Sequence, residues 1–298
     1  MPAVDLSELP TPQIIETPDF EVILAEVKED IITSFPQTQQ AAVRSAMALE
    51  SEPLTVIAQA FALRELLHRQ RINEGAAACM LSHSTGDDLD NLAANMNTAR
   101  LVITPATDTA EAVMESDTAL RLRAQSAFDG LSVAGPTGAY EYFARSASGQ
   151  VADARATSPA PAEVVVAVLS TEGDGTASEA LLTTVRNALN AEDVRPVGDR
   201  LTVQGAEIIR YQIDARLYFY PGPESEPILN AARNNLEAWL AEQGKIGRDV
   251  ALSAIMAALH VQGVQRVELT SPAQNIVISD VQSAYCTSFT VSAGGTNE

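Results

Sequence analysis

The sequence predicts an α+β protein, with a helical N-terminal region followed by two small α+β units that have mixed or antiparallel sheets. Three observations carry this. Between residues 19 and 97 apolar side chains recur at helical spacing. Val164–Leu169 is an unbroken apolar run rich in valine, suited to a strand buried on both faces. Ile208–Tyr220 alternates around Tyr211, Ile213, Ala215, Leu217 and Phe219, with helical stretches before and after it. The expected division is an extended arm at 1–18, a helical domain at 19–114, and α+β domains at 115–205 and 206–298.

Taken in order, Pro2, Pro10, Pro12 and Pro18 keep the arm out of helix, and such a segment suits lying on a neighbour. Asp19 is a natural N-cap for a helix through Ile32, with Phe20, Ile23, Leu24, Val27 and Ile31 on one side. Pro36 breaks it, and a second helix is expected through Leu49. Glu52-Pro53 opens a long third helix towards Met80. Leu54, Ile57, Phe61 and Leu67 form its apolar stripe, widened by Val56, Leu63 and Leu66. Such a wide stripe needs more than one partner, which makes Leu54, Ile57, Phe61 and Leu67 candidate subunit contacts. Glu65 and Arg69 can pair on the polar side.

Thr85–Asp90 starts another helix, and residues 101–113 read as a connector with a short strand around Val102 and Ile103. A helix at 116–128 leads to Gly135-Pro136-Thr137-Gly138, a turn and helix start. Tyr140–Ala147 follows as a short amphipathic helix, and Val151–Thr157 as a half-buried strand. Ser158-Pro159-Ala160-Pro161 ends strand pairing, because its two prolines lack backbone donors. After Val164–Leu169 come a Gly173-Asp174-Gly175 turn, a helix at Ser178–Leu189, and strands at Arg200–Val203 and Ile208–Tyr220. Pro221-Gly222-Pro223 stops the last of these. A helix at Pro227–Gln243 carries the only tryptophan, Trp239, and another, capped by Asp249 or its neighbour, ends near His260. Strand 264–269 and further β structure at 275–279 and 285–291 complete the chain.

Composition excludes several function classes. With 39 acidic against 19 basic residues the net charge is −20, which repels phosphate backbones and argues against nucleic-acid binding. Two cysteines far apart make no disulfide framework and fit a reducing compartment. The N-terminus MPAVDLSELP lacks a basic and apolar leader, and no apolar run approaches the roughly 20 residues that span a bilayer.

The chain offers no catalytic, cofactor or metal constellation. Cys79 and His83 stand four apart, but His68 and His260 supply no second ligand pair, so Cys79 is expected as a small buried apolar residue. The acids of Thr85–Asp90 miss the alternating calcium-loop pattern and fit the first turn of a helix instead. Gly173-Asp174-Gly175 sits where phosphate loops sit, yet lacks their glycine spacing and their Lys-Ser/Thr. Tyr218, Phe219 and Tyr220 read as strand packing rather than a stacking platform.

Gly130–Tyr140 reads GLS-x-AGP-x-GAY, followed by a V-x-D strand, SPAP and the valine-rich strand ending in Leu169-Ser170. Together with Glu172-Gly173-Asp174-Gly175, Arg195-Pro196 and Gly263-Val264, this order resembles the baseplate J-like family of contractile-tailed phages, over roughly residues 50 to 290. Ala162, after SPAP, stands where the family more often has glycine. The resemblance implies a structural motif of Gly130, Gly135, Pro136, Gly138, Tyr140, Ser158, Pro159 and Pro161, whose part is geometric. It implies a non-enzymatic baseplate wedge protein, without cofactors, of a phage tail, a tailocin or a related injection apparatus. Implied partners are a second copy of the chain, an I-type tail protein, a lysozyme-like sheath-initiating wedge protein, and neighbouring wedges in a ring around the central spike hub. Implied locations are the host bacterial cytoplasm during assembly and the virion tail baseplate afterwards. The alternative is an α+β small-molecule-binding regulatory module, with a ligand at the junction of its α+β units.

Overall fold

The computed structural model describes residues 6, 9, 12, 14–107, 109–132, 135–192, 194–222 and 225–296. They fall into two compact units, Pro2–Asn97 and Thr98–Glu298. The expected α+β class is what is found.

The first unit holds α1 (Phe20–Ser34), α2 (Gln37–Ala46), α3 (Pro53–Ala78) and α4 (Gly86–Ala94). Asp19 caps α1 as its side chain suggests, accepting from the backbone N–H of Glu21 and Val22. Ile23, Leu24 and Ile32 of α1 bury against Ala58 and Ala62 of α3, with Met47 closing the cluster. The expected helix through Leu49 ends earlier, at Ala46. Met47 turns into the core there, and its carbonyl accepts from Thr55 Oγ1 at 3.1 Å. Pro2 and Pro10 of the expected arm lie outside the described residues. At Glu16 the segment lies on its own chain: Asn73 of α3 accepts from the Glu16 N–H at 3.2 Å and donates to its carbonyl at 2.7 Å.

The second unit opens with the antiparallel pair β1 (Val102–Thr104) and β2 (Val113–Met114), then α5 (Asp117–Ser126), which runs on as a 3-10 turn over Ala127–Leu131. α6 (Thr137–Ser146), β3 (Val151–Thr157), β4 (Glu163–Ser170), α7 (Glu179–Leu189) and β5 (Arg200–Gly205) follow. The strands order as β3-β4-β5, with β3 antiparallel and β5 parallel to β4. β6 (Glu207–Phe219), α8 (Ser225–Gln243), α9 (Leu252–Leu259), β7 (Val264–Ser271) and β8 (Gln282–Thr296) build a second mixed sheet ordered β7-β6-β8. β6 is antiparallel to β7 and parallel to β8.

The valine run of β4 is buried on both faces, and the two faces have different neighbours. Val164, Val166 and Val168 pack under α6 and α7 with Tyr140, Leu181, Val185 and Leu189. Ala167 and Leu169 point the other way, into a cluster with Ala206 and Ile246 that also takes Ile208 and Val281. β4 therefore belongs to the core of the first sheet and to the seam with the second, which is why its sequence cannot alternate. Asp153 Oδ2 accepts from the Ile246 N–H at 2.9 Å, and Arg155 pairs with Asp280 at 3.0 Å across the same seam.

Two expectations in the C-terminal part are corrected. Residues 275–279 form no ladder; a single bridge joins Ile276 to Val250. Asp249 does not cap α9, because its carboxylate accepts from the Ile278 N–H at 2.7 Å. The cap position falls at Ala251, and Asn275 supplies the missing acceptor to the Leu252 N–H at 2.9 Å. A distant loop thus does what a local residue was expected to do.

Candidate functional site

The signature residues converge on two small junctions around the start of α6. At the first, Gly130 faces the ring of Tyr142, and a Cβ there would come within 2.4 Å of it. Tyr142 in turn meets Phe143 edge-on, with 5.4 Å between ring centroids. Gly138 faces the Asp129 carboxyl at 3.2 Å from a built Cβ. At the second junction Gly135 has φ +73° and lies against Asp199 and Pro196. Pro136 follows in extended conformation as the residue ahead of α6. Tyr140 is buried and donates its hydroxyl to Asp199 Oδ2 at 2.8 Å. Burial first, and that hydrogen bond to a carboxylate second, push the phenol well above the ordinary tyrosine range.

Ser158, Pro159 and Pro161 lie apart from these junctions, at the exposed turn between β3 and β4. Ser158 Oγ bonds the Ala160 carbonyl at 3.2 Å. Ala162 holds φ +63°, a left-handed conformation that a glycine takes without cost, and its carbonyl accepts from Arg200 N at 2.7 Å.

The candidate subunit contacts lie on α3, whose burial runs opposite to side-chain size. Ala58 and Ala62 are fully buried against α1, while Phe61 is 59% exposed. Ile57 and Leu67 are exposed beside it, as are Val56, Leu63 and Ile72. Leu54 departs from this set: it is partly buried and packs on the cluster between α1 and α3. Small residues let the two helices approach closely, leaving the large ones outward. Phe61 also lines an open cleft of about 500 Å³ with Ile23, Val27 and Ile31, flanked by Glu26, Asp30 and Glu65. Arg69 gathers carboxylates there, bonding Glu65 at 2.9 Å and lying 3.7 Å from Glu16 and 3.8 Å from Glu26.

Sites weighed for chemistry take other forms. Cys79 is exposed rather than buried, at the C-cap position just after α3. Among the described residues no group of three or more His, Cys, Asp and Glu side chains could hold a metal ion. Gly173-Asp174-Gly175 is a tight turn with φ +60° and +94° at its glycines, and it already contains an anion. Asp174 accepts from Thr176 N at 3.1 Å and Thr176 Oγ1 at 2.6 Å, and pairs with Arg210. The Thr176 hydroxyl first, then Arg210, hold its carboxyl down at about 2, so the turn supplies charge where a phosphate loop would receive it. A second cleft, about 330 Å³, lies beside Trp239 between α8 and α9. It is within the second α+β half rather than at the junction where a regulatory module would bind its ligand. Among the described residues no helix is long and apolar enough to cross a membrane.

One feature escaped the sequence reading. Arg123 sits on the core stripe of α5 with Leu120 and Ala124, and is 5% exposed. It donates to both carboxylate oxygens of the equally buried Glu115, at 2.8 and 2.7 Å, and to the Ala99 carbonyl at 2.6 Å. Arg100 adds a bond to the Glu115 carbonyl at 2.6 Å. The available signal was a charge at i+3 between apolar residues of one helix face, which requires a buried counter-charge.

Comparison with known proteins decides the family. Residues 50–107 match the baseplate J-like N-terminal domain, 132–205 its central domain, and 211–292 the baseplate J-like protein C-terminal domain. Baseplate protein J of Escherichia phage P2 is 57% identical over 302 aligned residues, covering 100% of each chain. The chain belongs to the baseplate J-like family. Within that family it is a structural baseplate component and not an enzyme. Baseplate membership implies assembly with other baseplate proteins.

Proposed function

We propose that this baseplate J-like chain is a wedge subunit of a contractile tail, in a phage or a tailocin, with its labour divided between its two parts. The helices of 19–97 bundle with an I-type tail protein and a second copy of the chain. The α+β regions, 115–205 and 206–298, make the contacts between wedges that close a ring around the central spike hub, beside a lysozyme-like sheath-initiating protein. The observation that supports the division is the inverted packing of α3, which buries Ala58 and Ala62 and leaves Ile57, Phe61 and Leu67 exposed. Exposed apolar rows of this kind mark protein contacts. The C-terminal strands, by contrast, already have a core, in which Ile213 and Leu217 pack with Leu236 of α8 and Leu259 of α9.

Deleting residues 1–97 tests the division by co-purification with the I-type protein. Loss of that protein is expected, and undiminished binding overturns the assignment. Phe61→Asp is the finer probe. Because Phe61 is already 59% exposed, the free chain should keep its stability to within about 0.5 kcal/mol. A charge buried in the bundle should cost several kcal/mol of association. Wedges that form normally with this variant remove Phe61 from the contact.

A further inference from the structure

The two three-stranded sheets end in four edge strands, and one of them lacks the charges that the other three carry. β3 carries Asp153 and Arg155, β5 begins at Arg200, and β7 carries Arg266 and Glu268. β8 runs for 15 residues without one charge or proline, in a chain with a net charge of −20. Charged residues and prolines are what soluble proteins place on free edges to block pairing with another chain.

The stretch open to pairing is narrower than the strand. At its start, Ser283 already bridges Ile246, and Gly247 N donates to the Gln282 carbonyl at 2.9 Å. Register shifts interrupt the ladder with β6 after Tyr211 and after Leu217. Between them Ser288–Ala293 stays in unbroken register with Gln212–Leu217. Among the described residues no strand lies beyond β8 in this sheet. Apart from β8's own side chains, Arg233 reaches its backbone, donating to the Val291 carbonyl at 2.7 Å.

The sequence of that stretch is matched to itself. Around Thr290 it reads Ser288-Phe289-Thr290-Val291-Ser292, polar and apolar in mirror order. An antiparallel strand of the same sequence centred on Thr290 sets Ser288 opposite Ser292, Phe289 opposite Val291, and Thr290 opposite its own copy. Phe289 and Val291 face the core cluster, while Ser288 and Thr290 are exposed on the other side. Every pair is thus aromatic with β-branched, or hydroxyl with hydroxyl, which are favourable cross-strand pairs. The absence of charge removes the repulsion that two copies of an acidic chain otherwise meet at identical surfaces.

We propose that β8 pairs with β8 of a second copy, antiparallel about a two-fold axis at Thr290, joining two three-stranded sheets into one of six strands. The occupant of the edge is the chain itself, because an isologous contact demands a surface complementary to itself and this segment is one. Main-chain donors of the partner strand take over the Val291 carbonyl from Arg233. The inference rests on the reading that the α+β region makes contacts between copies, and names where one such contact lies.

Cysteine trapping in the full chain tests it. With Cys79 and Cys286 replaced by serine, Thr290→Cys places the sole thiol opposite itself. Directly opposed residues of an antiparallel pair have Cα atoms about 4.5–5.5 Å apart, within the span a disulfide bridges. Mild oxidation of assembled wedges should give a disulfide-linked dimer. Ser292→Cys in the same background, which faces Ser288 instead, should give little or none. Equal cross-linking of the two variants, or none from Thr290→Cys, overturns the pairing. Thr290→Lys, with the native cysteines kept, should lose wedge-to-wedge association by sedimentation; unchanged association overturns it as well. Co-purification of the I-type protein, followed in parallel, reports on the wedge reading alone, so its loss with the cross-link intact would sink that reading and leave the strand pairing standing.

Discussion

Tyr140 in the first turn of α6 donates its hydroxyl to Asp199, 59 positions later and just ahead of β5, at 2.8 Å. The bond fixes the entry to α6 against the loop that delivers the parallel strand of the first sheet. Asp199 also lies against Gly135, so the carboxylate that holds Tyr140 borders the turn ahead of α6 as well. Tyr140→Phe keeps the ring and removes the donor, leaving Asp199 with one partner fewer. A hydrogen bond to a charged group contributes about 1.5–3 kcal/mol, and a loss in that range is expected in urea unfolding.

Burial of the Tyr140 ring, with the bond to Asp199 second, gives an alkaline signature. The phenol is raised above its ordinary value in the folded chain, so its protonated form stabilises the fold. That contribution is fully present below the ordinary tyrosine value of about 10 and is lost as pH rises through and above it. Stability measured against pH should fall in this window for the native chain. Tyr140→Phe should lessen the fall, leaving the share of Tyr211, whose phenol burial also raises, and an unchanged profile would show that Tyr140 does not contribute to it.

Gly130→Ala puts a methyl group within 2.4 Å of the Tyr142 ring. The ring is held edge-on by Phe143 and cannot withdraw freely, so overpacking should cost about 1–3 kcal/mol. Combining it with Tyr142→Ala should recover part of the loss, since the clash then has no partner. Gly138→Ala meets only the exposed Asp129 carboxyl and should be nearly neutral by thermal melting, while the bulkier Gly138→Val should disturb folding or wedge formation.

Local signals were legible in the sequence wherever local chemistry decides the outcome. Asp19 read as a cap and is one, because an Asx side chain satisfies the first N–H groups of its own helix. The valine run of β4 read as doubly buried, since only two apolar neighbours explain an unbroken run. What failed depends on partners far along the chain. Asn275 caps α9 from 23 positions away, and Met47 ends α2 because Thr55 binds its carbonyl. Of the signature, positions were legible but partners were not: nothing in Gly130 or Gly135 names Tyr142 or Asp199. The apolar stripe of α3 was visible, but which half of it meets α1 was settled by the close approach that Ala58 and Ala62 permit.

Arg123→Met leaves Glu115 buried without its counter-charge, because both side chains are 6% exposed. Breaking such a pair on one side costs about 3–5 kcal/mol, and loss of a cooperative transition in Thr98–Glu298 is the expected reading by hydrogen exchange. Pairing it with Glu115→Leu should restore most of that loss. A double variant as unstable as the single one would show that the bonds from Arg123 to the Ala99 carbonyl and from the Leu101 N–H to the Glu115 carboxylate, rather than the ion pair, dominate the network.

Ala162 sits at φ +63°, in the turn between β3 and β4. An L-residue in that region carries a steric cost of about 1–2 kcal/mol, which glycine lacks. Against this, glycine gives the unfolded chain more freedom, worth about 0.4–1 kcal/mol. The difference favours Ala162→Gly by between zero and about 1.6 kcal/mol, a sign opposite to that of glycine introduced into most strands or helices. The side chain is exposed, so no packing is lost in exchange. Urea unfolding should move to higher midpoint with an unchanged slope, as stability alone has changed. A lower midpoint would mean that the Arg200 N–H bond to the Ala162 carbonyl needs the stiffness alanine provides, and that the position is held by that bond rather than strained by it.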